Sequence, residues 1–291
     1  MFLRLLISGL VLGGIYSLIA LGYSLIYKAS GLMSFVQGDV MTLGAYLGLT
    51  FYRILGLPFV VSLILTVLCA FAFGMLLEKG VIRVLLNKNV LPIYVVLATI
   101  AISYIIQNGV QLGWGSITQY FPSVFSKSSV KVLSVSVQPE ALLCVGASLV
   151  CMVLLHFFMT RTRFGTAMRA AAMDPTAAYS CGINVSMSTG ITWGLSAGLA
   201  AIAGMLIGPM YGVYALLGSM IGSKGFSGAV IGGYGNMYGA MVGGILLGLA
   251  EVFVTGYISS TYKNLIAYIL LITFLFLKPT GLFNERAIQD D

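Results

Sequence analysis

Long apolar runs separated by short polar segments dominate the pattern of this chain. A helix that crosses the hydrocarbon core of a bilayer needs about 20 consecutive, mostly apolar residues. The clearest runs lie at residues 2–27, 58–77, 91–112, 141–159, 187–208, 240–257 and 265–277. The pattern therefore predicts a membrane-spanning helix at each of these positions.

Two further apolar stretches are interrupted by polar or glycine-rich sequence. Residues 30–52 contain SFVQGD near their start, and residues 209–239 contain GSKGFSG and GGYGNMYG. Such interruptions are typical of discontinuous helices, because non-helical backbone is tolerated at membrane depth only beside protein or a water-filled cavity. We predict an all-α fold, a polytopic transmembrane helical bundle of about eight to ten membrane segments, one or two of them discontinuous or re-entrant.

Composition favours a single membrane domain over residues 1–291. Hydrophobic residues make up 59% of the chain and charged residues only 8%, whereas soluble domains carry about 25% charged residues. The first apolar run lacks a small-residue cleavage site. It is therefore expected to remain as the first span rather than to be removed as a signal peptide.

The distribution of charge predicts the orientation in the membrane. The formal net charge is +7, with 15 Lys and Arg against 8 Asp and Glu, and the basic residues lie mostly between spans. This indicates topology rather than nucleic-acid binding, because Lys and Arg accumulate in cytoplasmic loops. The expected cytoplasmic segments contain Lys79, Arg83 and Lys88; Arg161, Arg163 and Arg169; and Lys278 and Arg286. Residues 113–140 are then extracytoplasmic, and the side of the N-terminus stays open.

Reactive side chains are too few for a membrane enzyme. The chain has one histidine, His156, no HExxH motif, no span with paired carboxylates and no GxxxxGK[ST] phosphate-binding loop. The four cysteines are dispersed and form no CxxC pair, which disfavours a disulfide or a zinc site. We expect no catalytic residue, no metal and no cofactor on this chain, so that any ATP is bound and hydrolysed by partner subunits.

Asp39 is the first candidate pathway residue. It follows Ser34, Gln37 and Gly38 in a polar cluster that precedes the apolar run VMTLGAYLGLTFY. An ionised side chain within the membrane is costly unless it faces protein or water. One interpretation is a discontinuous helix that lines or gates a translocation pathway, and the other is that Asp39 caps a helix at the membrane interface.

Glu251 is a second acid inside an apolar span. It is a further candidate for the pathway, and the alternative is a carboxylate paired with a basic or hydroxyl group on a neighbouring helix. The glycine-rich residues 225–239 could form a second broken helix, and they are faintly similar to residues 31–44. Paired broken segments in two halves of a transporter point to its binding or gating region.

The cytoplasmic segment 160–186 is too long for a mere connection. FGTAMRAAAM favours a helix, Asp174 is suited to cap a second short helix that begins at Pro175, and Gly182 ends it. Two rigid helices would give a soluble partner a surface to hold. The candidate contact residues are Arg169, Asp174, Ala177, Ala178, Tyr179 and Gly182. The alternative is an amphipathic helix that lies on the membrane surface.

Five segments in a fixed order resemble one family of membrane proteins. They are SGLMSFVQGDVMTLGAYLG, LATIAISYIIQNGVQLGWG, RTRFGTAMRAAAMDPTAAYSCGIN, KGFSGAVIGGYGNMYGAMVGGILLGLAE and IAYILLITFLFLKPTGLF. Together they are similar to the LivH-type permeases of branched-chain amino acid ABC importers, and the resemblance runs essentially from end to end. It implies a multi-pass permease of the bacterial inner (plasma) membrane that imports branched-chain, hydrophobic amino acids at the expense of ATP.

The resemblance also implies partners. They are a sister permease that completes a heterodimer, two cytoplasmic ABC ATPase subunits and an extracytoplasmic substrate-binding protein, all assembled at the lipid bilayer. Residues 169–182 resemble the coupling helices that seat in the ATPases, although RAAAMDPTAAYSCGI stands where other importer families have their EAA sequence. Selectivity would lie largely in the binding protein.

Two alternatives remain at this stage. The resemblance extends to permeases for urea and short amides and, more distantly, for simple sugars, so another small solute is an alternative substrate. A secondary transporter that works without ATPases would need more intramembrane charge for ion coupling and would leave the paired cytoplasmic helices unexplained.

Overall fold

The computed structural model describes residues 2–88, 90–122, 130–132 and 135–283. Its α-helices are α1 (Phe2–Ser30), α2 (Gln37–Leu49), α3 (Phe59–Leu77), α4 (Arg83–Asn87), α5 (Pro92–Trp114), α6 (Pro139–Arg161), α7 (Arg163–Met173), α8 (Pro175–Ser180), α9 (Val185–Tyr211), α10 (Leu217–Gly232), α11 (Met237–Tyr257) and α12 (Lys263–Leu277). Single π-helical turns at Thr50–Ile54 and Glu78–Ile82 extend α2 and α3, and a 3₁₀ turn at Ser260–Tyr262 precedes α12.

The predicted all-α membrane bundle is confirmed. Seven helices of the described chain are long and apolar enough to cross a membrane, and the shorter α2 and α10 pack among them, which fits the predicted number of segments. The described residues also contain one element that the pattern did not predict, an antiparallel hairpin of β1 (Val130–Val132) and β2 (Val135–Val137). It lies in the segment 113–140, part of which falls outside the described residues.

Helices α1 and α9 form the centre of the bundle. In α9, 83% of the most apolar window is buried, whereas in α12 the share is only 6%. Close backbone packing at glycines explains this burial, because small residues let membrane helices approach without a side chain between them. Gly13 of α1, for example, lies against the backbone of Ile245 in α11. The outer helices α3, α5, α6 and α12 expose large apolar side chains, as lipid-facing helices do.

One predicted boundary is wrong, and one predicted interruption is shorter than expected. The basic segment after residue 77, predicted as a loop, continues α3 through a π-helical turn into α4. It is held there by Glu78, which accepts hydrogen bonds from Arg83 Nε (3.1 Å) and Nη2 (2.5 Å). The glycine-rich residues 225–239 contain the predicted interruption, but only in their second half, since α10 is continuous to Gly232. The chain turns only at residues 233–236, where Gly233 and Gly235 adopt positive φ angles of 116° and 93°.

The segments predicted to be cytoplasmic lie at one end of the bundle. Arg83 near the end of α3 donates a hydrogen bond to the Ser186 carbonyl at the start of α9 (2.8 Å), and Lys28, Arg169 and Tyr238 border one cavity. The described basic residues at this end are Lys28, Lys79, Arg83, Lys88, Arg161, Arg163, Arg169 and Lys278; Arg286 lies outside the described residues. Their accumulation makes this end cytoplasmic.

The N-terminus lies at the opposite, extracytoplasmic end. The Phe2 ring packs 5.5 Å from that of Phe253, close to the end of α11. At the same end, Gln119 forms an antiparallel bridge with Val213. With the basic end assigned to the cytoplasm by the positive-inside rule, α1 is expected to run from the outside to the cytoplasm.

Candidate translocation site

Helix α2 begins inside the bundle rather than at its surface. Residues 31–36 are not helical, and Gln37, the first residue of α2, lies against Gly22, about two turns of helix before α1 ends at Ser30. The discontinuous helix predicted from the polar cluster is therefore present. Its non-helical approach is stabilised by hydrogen bonds, one of which runs from the Phe35 N–H to Thr99 Oγ1 of α5 (3.2 Å).

Gln37 fixes the start of α2 to two other helices. Its Nε2 donates to the Ser196 carbonyl of α9 (2.8 Å), and Ser196 Oγ bonds both Gln37 Oε1 (3.0 Å) and the Gly22 carbonyl of α1 (2.8 Å). Gln37 is 1% exposed and does not border the large cavity described below. Among the predicted pathway residues, it is placed to hold α1, α2 and α9 together.

The first turns of α2 and α10 meet at a contact between glycines. A methyl group at Gly218 would overlap the Gly38 carbonyl oxygen and the Thr42 hydroxyl, and one at Gly222 would lie 2.7 Å from the Gly38 Cα. The Gly218 N–H donates to Thr42 Oγ1 (2.8 Å). Two half-length helices thus start deep in the bundle, with their N-terminal ends side by side.

A cavity of about 470 Å³ opens at this junction, between α2, α5, α10 and α12. Polar residues from all four helices and from α1 border it: Tyr23, Asp39, Ser103, Gln107, Ser219, Ser223, Ser227 and Tyr268. Apolar side chains complete the wall, namely Phe35, Ile100, Phe226 and Leu271. A volume of this size, with apolar walls and a few convergent polar groups, is typical of a small-molecule site.

Asp39 lies in the wall of this cavity and is 2% exposed. One carboxylate oxygen accepts a hydrogen bond from Ser103 Oγ and the other accepts one from Gln107 Nε2 (3.0 Å), both on α5. The interpretation of Asp39 as a helix cap is wrong, since Val36 occupies the N-cap position and no side chain caps α2. Asp39 sits in the first helical turn, where the helix dipole favours a negative charge.

Sequence reasoning missed the partners that α5 and α10 contribute. Thr99, Ser103 and Gln107 recur every fourth residue in α5, and Ser219, Ser223 and Ser227 do so in α10. Residues four apart lie on one face of a helix. The spacing was therefore a signal for two polar helix faces, and it would have identified this wall of the cavity.

Ser34 and Glu251 do not border the cavity. Ser34 is 2% exposed, and its hydroxyl has no hydrogen-bond partner among the described residues. Glu251 is fully buried and accepts hydrogen bonds from Tyr16 Oη (2.9 Å) and Lys224 Nζ (2.6 Å), with Lys263 Nζ at 3.4 Å. The interpretation of Glu251 as a paired carboxylate is confirmed, and the pairing joins α1, α10, α11 and α12.

At the cytoplasmic end, the two predicted helices of segment 160–186 are present as α7 and α8. Thr162 caps α7 by accepting from the Gly165 N–H (3.0 Å), and Asp174 caps α8 by accepting from the N–H groups of Thr176 and Ala177 (2.8 and 2.9 Å). Gly182 follows α8 with a positive φ of 82°, as expected for a helix stop. Both helices are thus fixed at their N-terminal ends.

One predicted contact residue of this segment, Ala178, is buried. Ala178 is only 5% exposed, because it lies on the face of α8 that packs on α7 and α9. Arg169, Ala177 and Tyr179 are exposed, and Tyr179 exposes 75% of its surface. The predicted contact residues that remain exposed are Arg169, Asp174, Ala177, Tyr179 and Gly182.

Comparison with known proteins places this arrangement in a family. Residues 5–275 match the family described as "Branched-chain amino acid transport system / permease component". The chain is 34% identical to the high-affinity branched-chain amino acid transport system permease protein BraD of Pseudomonas aeruginosa and 32% identical to LivH of Escherichia coli K12, in each case over 99% of this chain and 97% of the relative. A probable branched-chain amino acid transport permease, LivH of Methanocaldococcus jannaschii, is 26% identical over 96% of this chain and 92% of that protein.

Proposed function

This multi-pass membrane protein belongs to the family of permease components of branched-chain amino acid transport systems, and we propose that it forms one side of the path by which an ATP-driven importer moves such amino acids into the cytoplasm. The observation that carries the proposal is the cavity at the junction of α2 and α10. It combines an apolar wall for a hydrophobic side chain with Asp39, hydroxyl groups and an amide for the polar end of an amino acid.

A second chain is needed to complete the path. The cavity opens between α5 and α12, whose outer faces carry exposed apolar side chains such as Ile105 and Leu275. A wall that contains a carboxylate and several hydroxyls is unfavourable against lipid. A sister permease that packs on α5 and α12 would enclose the cavity, which is our reason for proposing a heterodimer.

The proposed energy source is ATP bound to two cytoplasmic partner subunits. The exposed faces of α7 and α8 are the proposed docking surface, because both helices are capped and α7 packs on the bundle through Gly165, Met168 and Ala171. Displacement of α7 by an ATPase would also displace α6 and α9, against which α7 packs. Helix α9 also holds Gln37 at the start of α2, so a movement of α9 would change the half-length helix that lines the cavity.

The extracytoplasmic end would receive substrate from a binding protein. At this end lie the hairpin β1–β2, the bridge between Gln119 and Val213, and the start of α12. Alternating access then requires that the cavity open toward this end when the loaded binding protein docks, and toward α7 and α8 afterwards. The half-length helices α2 and α10 are the proposed moving parts.

Purification and reconstitution test this function. We expect the chain to co-purify from native membranes with a second permease and two ATPases, and the complex in proteoliposomes to take up L-leucine when ATP and the loaded binding protein are supplied. Urea and acetamide serve as alternative substrates in the same assay. Uptake without the ATPases, or uptake of urea in preference to leucine, would reject the proposal.

Replacement of Ala177 by arginine tests the docking surface. Ala177 is exposed on the capped helix α8, and a bulky charge there would clash with a docked ATPase and be desolvated without a partner. We expect Ala177→Arg to reduce substrate-stimulated ATP hydrolysis at least fivefold while the chain still inserts.

The matched control is Asn87→Arg, which adds the same charge at an exposed position of the cytoplasmic end, outside segment 160–186. It is expected to leave stimulation unchanged. An arginine would also be tolerated on a helix that only touches lipid head groups. Normal stimulation by the Ala177→Arg complex would therefore favour a membrane-surface role for α8.

A further inference from the structure

Asp39 differs from the other buried acids of the described chain in its partners. Glu251 lies within 3.4 Å of two lysine nitrogens, and Glu78 pairs with Arg83. Asp39 has only the neutral donors Ser103 and Gln107, and no Lys, Arg or His nitrogen of the described residues lies within salt-bridge distance. A carboxylate at membrane depth without a cation is costly, and it marks a functional position by default.

The lack of a cationic partner for Asp39 among the described residues suggests that a ligand supplies one. Resting on the function proposed above, we propose that the Asp39 carboxylate binds the ammonium group of a zwitterionic amino acid while the amino acid occupies the cavity. Hydrogen bonds and the dipole of α2 stabilise the empty carboxylate in part. A bound ammonium neutralises it fully at the moment when the cavity closes and water leaves.

The geometry leaves room for this contact. A carboxylate has about four acceptor positions, and the two described hydrogen bonds occupy one on each oxygen. Ser103 and Gln107 border the same cavity as Asp39, so the three groups form one continuous polar wall. Ser103 and Gln107 orient the carboxylate, and its remaining acceptor positions have no hydrogen-bond partner among the described residues.

The other walls fit the remainder of such a ligand. Phe35, Ile100 and Phe226 offer apolar surface to an aliphatic side chain. A site built in this way requires an amine and disfavours an amine-less carboxylic acid, whose only charge has the same sign as that of Asp39. Amine recognition would then be a second selectivity step within the membrane, separate from the choice made by a binding protein.

A purely structural role for Asp39 makes a different prediction. The same hydrogen bonds tie α2 to α5. An asparagine of equal size keeps one acceptor oxygen for Gln107, and its N–H group can donate to the Ser103 hydroxyl. If Asp39 only joins these helices, Asp39→Asn is mild and the charge of the ligand is irrelevant. If Asp39 binds an ammonium, the charge is essential even when the fold is intact.

Direct binding of radiolabelled L-leucine to the assembled permease–ATPase complex in nanodiscs, without the binding protein, separates the two roles. We expect Asp39→Asn to weaken binding at least tenfold and Asp39→Glu to weaken it less. The control Glu140→Gln makes the same carboxylate-to-amide change at the start of α6, outside the cavity. It is expected to bind like the wild type, and thermal unfolding of each variant checks the fold.

Two competitors identify the group that is recognised. Isopentylamine retains the ammonium and aliphatic chain of leucine without the carboxylate, and 4-methylpentanoate retains the carboxylate without the ammonium. We expect only isopentylamine to displace L-leucine. Displacement by 4-methylpentanoate alone, wild-type affinity in folded Asp39→Asn, or no binding by a wild-type complex that does transport leucine would overturn the inference. A wild-type complex that transports no branched-chain amino acid would instead refute the proposed function.

Discussion

Replacement of Gly218 by alanine is expected to abolish transport and to destabilise the folded chain. The added methyl would overlap the Gly38 carbonyl and the Thr42 hydroxyl, at the point where α2 and α10 meet. Backbone atoms of two helices cannot retreat as a flexible side chain can. Overpacking costs about 1–3 kcal/mol and occasionally more, and here it also separates the two helices that line the cavity. Thermal unfolding in detergent and uptake by the reconstituted complex measure the two effects.

Gly146→Ala in α6 is the matched control, because a methyl group there has no atom within 4 Å and α6 lies outside the proposed contact with the sister permease. Alanine is the better helix former by about 1 kcal/mol, so this variant should be as stable as the wild type or slightly more so. The comparison isolates the close contact from the general effect of replacing a helical glycine. Equal stability and transport in both variants would show that α2 and α10 do not pack as described.

Replacement of Glu251 by leucine is expected to prevent accumulation of folded protein. Lys224 is 3% exposed and would lose the carboxylate that neutralises it at 2.6 Å. Removal of one partner from a buried ion pair costs about 3–5 kcal/mol, because it leaves an uncompensated charge. The total free energy of unfolding of a domain is only about 5–15 kcal/mol, so this single change would remove much of it. Yield of monodisperse protein and its unfolding temperature measure it.

A second change should restore the fold. In Glu251→Leu with Lys224→Met, both buried charges are gone, and apolar residues of similar volume in place of a buried pair are often neutral or stabilising. Lys263→Gln should have a small effect, because this side chain is 31% exposed and lies farther from Glu251. A double variant as unstable as Glu251→Leu would show that packing around Glu251, rather than its charge, supports the bundle.

Local signals allowed the sequence to predict the architecture and several details. The polar cluster before residue 40 predicted the interruption ahead of α2, and the Asp174-Pro175 pair predicted the start of α8. Both features depend on residues close to one another in the chain. The partners of Asp39 and Glu251 could not be predicted in the same way, since Ser103 is 64 positions from Asp39, and Tyr16 is 235 positions from Glu251. Such pairs are decided by packing.

Glycine made the predicted interruption after α10 too long. Gly225 and Gly228 lower helix propensity in water, and they were interpreted as part of a broken helix. In the bundle they are contact points, because Gly225 faces the Ile19 side chain and Gly228 faces the backbone of Gly244. Ala178 was misassigned for a different reason. In a helix as short as α8, one residue turns the side chain by about 100°, and the sequence does not reveal which face the bundle covers.

The long separation between α2 and its partners has a consequence for biosynthesis. Gln37 and Ser196 are 159 positions apart, so α2 leaves the ribosome long before α9 exists. The polar start of α2 is unfavourable in lipid until the Ser196 carbonyl and the α5 side chains are in place. We therefore expect α2 to reach its final position only after α9, which supplies the Ser196 carbonyl, has been inserted.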